Sequence, residues 1–468
     1  MVARTLFHKI WEAHLVARRI DGREIIYMDR NIVHELHGPK AFEKLRKAAR
    51  RVRRPDLTFA VQDHTISSQP DRDDTTNPEG TPFLRAQRAG AAEFGFRIFD
   101  VGDPDQGISH VIGPELGMVL PGATHCVPDS HAATVGALGA LSFGCGTTEL
   151  EHVLATQVLA MKRPKTMRIN LEGRLQPHVT AKDVALHIVG TLGVSGANGH
   201  AVEYAGPVVR AMGIEARMTL CNLTVEMGGR SGFVAADETT LSWLEGRPFA
   251  PVGEDWNRAL AYWRTMHSDE GARFDRDLTI DCSALEPQIT WGITPGQVIG
   301  IRDSVPASLG EEASDQHAFT KALTYMDLQA GEPLQGLKVD RVFIGSCTNG
   351  RIPDLQEAAA IVRGRKVAEG VVAMISPGST IVRREAEALG LDTVFRDAGF
   401  YWAESACSMC AGGNGDRGRP GERVISTTNR NFEGRQGPGV RTHLVSPGMA
   451  AAAAIAGAIV DVRQLAEA

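Results

Sequence analysis

The stretch Asp340–Arg351, DRVFIGSCTNGR, sets the architecture. An apolar run, Val342–Ile344, leads into Gly345, Ser346 and a cysteine, Cys347. DLQEAAAIVRGRK, from Asp354, then repeats apolar residues at helical spacing. Strand, tight loop and amphipathic helix in that order form the unit of a parallel sheet. The pattern recurs outward: VVAMISPG from Val371, KTMRINLEG from Lys165 and TFAVQ from Thr58 read as buried strands, and AKDVALHIVGTLG from Ala181 as a helix. The expected class is α/β with parallel sheets, and sites in such sheets gather at the carboxyl ends of strands. At roughly 150 residues per domain, the length suggests about three domains. Breaks are expected near Arg163–Lys165 and in the turn-rich stretch between Glu286 and Pro306, giving domains 1–164, 165–290 and 291–468. No internal repeat is visible in the residues.

Composition excludes several classes. The 50 Lys and Arg against 56 Asp and Glu leave a net charge of −6, without the basic surplus a nucleic-acid binder needs. The same balance gives no reason to expect an anionic membrane surface as partner. The only basic cluster, Ala49–Arg54, reads as a solvated helix end. Met449–Val460 is too short and too rich in alanine to cross a bilayer and reads as a packed helix. MVARTLFHKIWEAH at the start is amphipathic and lacks the apolar core of a secretory signal. Seven cysteines, an odd number in a long chain, argue against a disulfide scaffold and for a reducing cytoplasm. GALGALSFGCG, Gly136–Gly146, lacks the residues that would complete a phosphate loop and is expected to serve close helix packing.

Three groups of residues carry chemistry. Cys347 follows a strand, and SACSMC supplies Cys407 and Cys410 as a C-x₂-C pair. A structural zinc closes its shell with four protein ligands, whereas a cluster on three thiolates leaves one iron open as a Lewis acid. The spacing alone also suits buried free thiols, the expected role of Cys126, Cys145, Cys221 and Cys282. TTNRNFEGRQG, Thr427–Gly437, holds Arg430 and Arg435 among amides and glycines, which suits a substrate with two carboxylates or, equally, a solvated loop. QDHT, ISHVIGPE, PDSHAAT and CNLTVEMGG bring Asp63–His64, His110, Asp129, Ser130, His131, Asn222 and Glu226, the Asp–His pairings that general acid–base work requires.

With these motifs assembled, the chain resembles the large-subunit family of 3-isopropylmalate dehydratases (isopropylmalate isomerases) in the aconitase superfamily. The resemblance runs from TLFHKIWEAH to VSPGMAAAAAIAG and includes GSCTNGR, CSMC, TTNRNFEGRQG, DSHAATVGALGALSFGCGTTELEHVLATQ and EARMTLCNLTVEMG. It implies three related α/β domains. It also implies one 4Fe–4S cluster per subunit, held by Cys347, Cys407 and Cys410, with one iron open to substrate. Asn349 and Asn429 match amides near the cluster, and Arg430 and Arg435 match carboxylate-binding arginines. Asp63, His64, His110, Asp129, His131 and Glu226 match the acid–base and hydrogen-bonding set, with Asn222 supporting its loop. The implied reaction moves water between neighbouring carbons of a 2-hydroxy-dicarboxylate, 2-isopropylmalate to 3-isopropylmalate, in leucine biosynthesis. A separate small-subunit chain would supply the residue that removes the carbon-bound proton, so the chain is expected to be catalytically incomplete alone.

The chain departs from that family at three places. The usual HEVTSPQAF is HELHGPKAF, His34–Phe42, and Lys40 replaces a glutamine matched to a substrate-carboxylate contact. AGGN, Ala411–Asn414, stands for the usual LAMN, and Ser405–Ala406 for Pro-Gly. Gly350 stands where a serine is common. Added charge and lost volume would suit another 2-substituted malate: 2-methylmalate with citraconate, dimethylmalate or benzylmalate.

Overall fold

The computed structural model describes residues 3–310 and 312–466. The chain divides into two units, each built from three separate stretches. Unit 1 comprises Met1–Ile66, Asp73–Arg174 and Ser195–Cys282; unit 2 comprises Ser67–Arg72, Leu175–Val194 and Ser283–Ala468.

Unit 1 carries two parallel sheets. In the first, the strands lie in the order Arg97–Phe99, Thr58–Val61, Arg30–His34, Thr124–Val127, Leu141–Gly144. Numbered along the chain, that is 3-2-1-4-5. The second sheet runs Ser231–Val234, His200–Ala205, Lys165–Glu172, Arg276–Asp281, order 3-2-1-4. Unit 2 carries the third: Tyr401–Trp402, Val372–Ser376, Arg341–Gly345, Arg423–Ser426, Arg441–Leu444, again 3-2-1-4-5 and parallel. The fold is α/β with parallel sheets. The strand order repeats even though the residues show no repeat.

Local sequence explains the elements. The helix Leu6–His14 is capped by Thr5, whose hydroxyl accepts from His8 N, and it buries Leu6, Phe7, Ile10 and Trp11. Each such aliphatic or Phe side chain contributes about 1.5–3 kcal/mol when fully buried. The alanine-rich helix is Pro447–Ala456, buried from Pro447 to Ala454, and its small side chains let it lie close to the helix Ile352–Val362 in the same unit. Among the described residues no helix is long and apolar enough to cross a membrane.

The structure refines three local expectations. Gly136 sits in a 3₁₀ helix, Ala132–Leu138, packed closely against the strand Ser231–Val234, while the rest of Gly136–Gly146 leads through the strand Leu141–Gly144. The glycine there serves backbone approach, since a Cβ on Gly136 would lie 1.9 Å from the Gly232 carbonyl oxygen. The turn-rich stretch after Glu286 holds an antiparallel hairpin, Gln288–Thr290 with Val298–Gly300, turned at Pro295 and Gly296. The basic run Ala49–Arg54 directly follows the helix Gly38–Lys47 and its cap Ala48, with Arg50, Arg51 and Arg53 exposed at that solvated end.

Candidate functional site

In an open 3-2-1-4-5 sheet the chain reverses its winding between strands 1 and 4, and a crevice opens there at the strand ends. The chemistry-bearing residues of each unit lie at such a point.

In unit 1, Glu35 follows the first strand of its sheet, Asp63–His64 the second and Asp129 the fourth. His64 Nδ1 lies 2.5 Å from Asp63 Oδ1, and its Nε2 lies 3.3 Å from Asp129 Oδ2. Burial opposes charge on His64, yet the two flanking carboxylates hold its pKa well above the ordinary imidazole value. Asp63 is fully buried, which alone would raise its pKa; the His64 charge brings it down to about 2. Asp63 also accepts from Ser109 N at 2.9 Å. Asp129 is shared: Oδ1 accepts from His131 N at 2.7 Å and lies 2.7 Å from His110 Nε2. Burial pushes its carboxyl up, but His110 and His64 pull it well below the usual range. His131 Nε2 sits 2.7 Å from Glu226 Oε1, and Ser130 Oγ lies 3.2 Å from His131 Nδ1. Asn222 Nδ2 donates to Thr134 Oγ1 at 2.8 Å, and that hydroxyl donates to His131 O at 2.6 Å. Asp63, His64, His110, Asp129, His131 and Glu226 are thus one hydrogen-bonded set, with Asn222 behind it. Lys40 is exposed on the first turn of the helix Gly38–Lys47, where its charge helps depress the neighbouring His37, whose shift comes first from burial.

In unit 2, Cys347 follows the first strand of the sheet, Cys407 and Cys410 follow the third, and Asn429 follows the fourth. All three cysteines are buried, and none is in a disulfide. Cys407 and Cys410 share one turn, closed by Cys410 N donating to Cys407 O at 3.0 Å. The Asn429 amide touches two sulfurs: Nδ2 donates to Cys347 Sγ at 3.6 Å, and Oδ1 accepts from Cys410 Sγ at 3.5 Å. Arg435 Nη2 reaches Cys410 Sγ at 3.9 Å, and its buried Nε has no hydrogen-bond partner among the described residues. Arg430 is half-buried beside Asn429. Asn349 Nδ2 donates to Asp354 Oδ1 at 2.9 Å, within the loop that starts the next helix.

Two serines flank the cysteines in left-handed backbone, Ser346 at φ 77° and Ser408 at φ 48°. Such conformations are costly for non-glycine residues and persist where surrounding bonds over-determine them. Ser408 Oγ donates to Asp416 Oδ2 at 2.6 Å, as does Ser68 Oγ at 2.6 Å. Gly345 N donates to Thr427 Oγ1 at 3.0 Å, fixing the turn before Ser346.

Residues 8–457 match the Aconitase family (aconitate hydratase). The chain belongs to the aconitase family. Among solved structures it is similar to Thermococcus kodakaraensis aconitase X in its holo-form, at 13% identity over 91% of this chain and 89% of that one, with a TM-score of 0.45.

Aconitase-family membership implies hydro-lyase chemistry and an iron–sulfur group, and the cysteines of unit 2 fit one. They are buried, outside any disulfide, drawn from two strand ends and held by strained turns, and the Arg435 guanidinium lies beside them. A second group of donors, His34, Glu35, Asp63 and His64, brings one ligand atom each within 4.8 Å of one another. Those donors are already saturated by hydrogen bonds, so a cation there would have to displace them.

Sequence reasoning overlooked three residues. Glu35 accepts from Asp63 N, His64 N and Thr65 N, at 3.2, 2.8 and 2.6 Å. Lys182, fully buried, donates to Thr427 O and Thr428 O at 2.8 and 2.5 Å, and burial pushes its pKa down to about 7. Asp416 anchors Ser408. The available signal was charge inside an apolar pattern: His-Glu at a strand end and Lys-Asp at the start of an amphipathic helix.

Proposed function

We propose that this chain is the cluster-bearing large subunit of a hydro-lyase that interconverts 2-isopropylmalate and 3-isopropylmalate by dehydration and rehydration, in leucine biosynthesis. The carrying observation is the Asn429 amide, which reaches the sulfurs of Cys347 and Cys410 together. In this reading Cys347, Cys407 and Cys410 hold a 4Fe–4S cluster. When bound, that cluster supplies a Lewis-acidic iron that polarises the departing hydroxyl. Arg430 and Arg435 bind the substrate carboxylates, and the buried Nε of Arg435 is a donor available for one of them. Asn349 and Asn429 hold the loops around the cysteines, and Lys40 offers its exposed charge to a carboxylate.

His64 holds the proton the leaving hydroxyl needs, since two carboxylates keep it charged. Asp129 links it to His110, and Glu226 orients His131 in a second imidazole–carboxylate pair. Positioned proton transfer of this kind contributes about 10²- to 10⁴-fold. A separate small-subunit chain is proposed to remove the carbon-bound proton. The cytoplasm is the proposed location, because the cysteines must stay reduced.

The sequence Ala411–Gly413 directly after Cys410 supports a second reading of the substrate. Small residues there leave room for another substituent, so 2-methylmalate, dimethylmalate and benzylmalate are assayed beside isopropylmalate. Anaerobic reconstitution with iron and sulfide tests the reading. We expect about equal iron and sulfide with a brown absorbance, turnover only with the small subunit, and loss of both colour and activity in Cys410→Ser. A colourless protein that takes up zinc, or an active Cys410→Ser, would overturn it.

A further inference from the structure

His34 and Glu35, consecutive residues where the strand Arg30–His34 ends, lie between the two loops that carry the proton-handling set. The Glu35 carboxylate is fully buried. Its Oε1 accepts from His64 N, Thr65 N and Thr65 Oγ1 at 2.8, 2.6 and 3.1 Å, and its Oε2 accepts from Asp63 N at 3.2 Å. The loop after Val61 is therefore wound around one carboxylate, which takes the place of an anion bound in a backbone nest. His34 serves the other side. Its ring stacks on that of His64 at 4.4 Å between centroids and 26° between planes. Its Nε2 donates at 2.7 Å to the carbonyl of Pro128, the residue before Asp129. Its Nδ1 accepts from Leu36 N at 3.3 Å.

These bonds fix the His34 tautomer: Nε2 carries the hydrogen and Nδ1 the lone pair. A second proton would break the Leu36 bond in a site without water access, and burial with the neighbouring His64 charge lowers the His34 pKa. His34 thus offers a neutral aromatic face to a charged imidazolium, the geometry of a cation–π contact.

We infer that His34 and Glu35 are positioning residues that set the orientation and proton affinity of His64 by tying the Asp63–His64 loop to the Pro128–Asp129 loop. The inference rests on the proposed reaction for its purpose but not for its geometry. The charged and titratable groups facing His64 are Asp63 on its own loop, Asp129 with His110 behind it, and His34, Glu35 and His37 from the strand end, His37 meeting His34 edge-on at 5.3 Å.

Three full-length variants separate the parts. His34→Phe keeps the ring and loses the Pro128 bond; His34→Gln keeps a donor for Pro128 and loses the ring; Glu35→Gln puts an N–H against Asp63 N–H. The first readout is the His64 titration midpoint by nitrogen NMR of histidine-labelled protein, assigned with His64→Gln. It requires no turnover, so it stands whether or not the proposed reaction does. We expect Glu35→Gln and His34→Phe to lower the midpoint by about one pH unit or more. We expect His34→Gln to recover part of the loss seen in His34→Phe. The second readout is kcat and KM of the loaded complex, with kcat falling about 10- to 100-fold and KM nearly constant. A His64 midpoint unchanged in both His34 variants and in Glu35→Gln overturns the inference. If Glu35→Gln fails to fold, the two His34 variants decide alone: equal midpoints in them and in the wild type refute it. Absence of isopropylmalate turnover in every form, with shifted midpoints, would refute the proposed reaction and leave the inference standing.

Discussion

Asp129 joins more of the proton-handling set than any other side chain described above. One oxygen serves both His110 and the His131 backbone, and the other faces His64, so a change at one imidazole is felt at the rest. Glu226 lies at the far end, 2.7 Å from His131 Nε2. Replacing it with glutamine keeps the shape and removes the charge that favours a protonated His131. Glu226→Gln should therefore lower kcat by about 10²-fold, with a smaller change in KM, while thermal stability stays within a degree or two. Steady-state kinetics of the loaded complex check this. At this scale the sequence was informative wherever a reactive residue sat beside its partner, as in Asp63–His64 and Cys407–Cys410. It was silent where the partner came from elsewhere. Nothing near Glu35 announces that three amide N–H groups will turn to it, and nothing near Lys182 announces two carbonyls of the Thr427–Thr428 loop.

Among elements, two glycines show how far space and backbone conformation can be separated. Gly95 ends the helix Thr81–Phe94 at φ 77° with nothing within 4 Å of a built Cβ. Gly136 sits in the 3₁₀ helix Ala132–Leu138, where a Cβ would strike the Gly232 oxygen at 1.9 Å. Gly95→Ala should cost about 1–2 kcal/mol, the left-handed penalty alone. Gly136→Ala should cost about 3 kcal/mol or more, because backbone must move. Urea unfolding of both variants checks the contrast. Strand and helix types were legible at Thr58, Lys165, Ala181, Asp340 and Val371, where apolar periodicity is unbroken. The Gly136–Gly146 segment was not, since alternating glycine and alanine satisfy helix packing and strand approach equally well. Strand order was hidden for a different reason. The 3-2-1-4 arrangement shared by the three parallel sheets is a property of connections, and connections of unequal length leave no periodic trace in residues.

For the whole molecule, pH sets a limit through two neutral histidines, one in each unit. His125 is fully buried, and burial with the nearby Arg30 lowers its pKa to about 3. His443 is likewise held near 3 by burial and by Arg423, whose Nη1 donates to its Nε2 at 2.8 Å while Nδ1 donates to Thr290 O at 2.6 Å. In the unfolded chain both titrate near 6.5. As pH falls from about 6.5 to about 3 the unfolded chain takes up protons that the folded chain refuses, so stability drops across that window. Melting temperature measured from pH 7.5 to 4 should fall steadily, and His443→Gln, which cannot ionise, should show a shallower slope from a lower start. The interleaving of the two units bears on how the protein is made. The helix Ala181–Leu192 keeps Val184, Ala185, Leu186, Ile188 and Val189 out of water within a unit whose largest stretch begins only at Ser283. A ribosome releases that greasy helix well before its companions exist, so the growing polypeptide must shelter it, and a chaperone that holds nascent apolar segments has a defined stretch to hold.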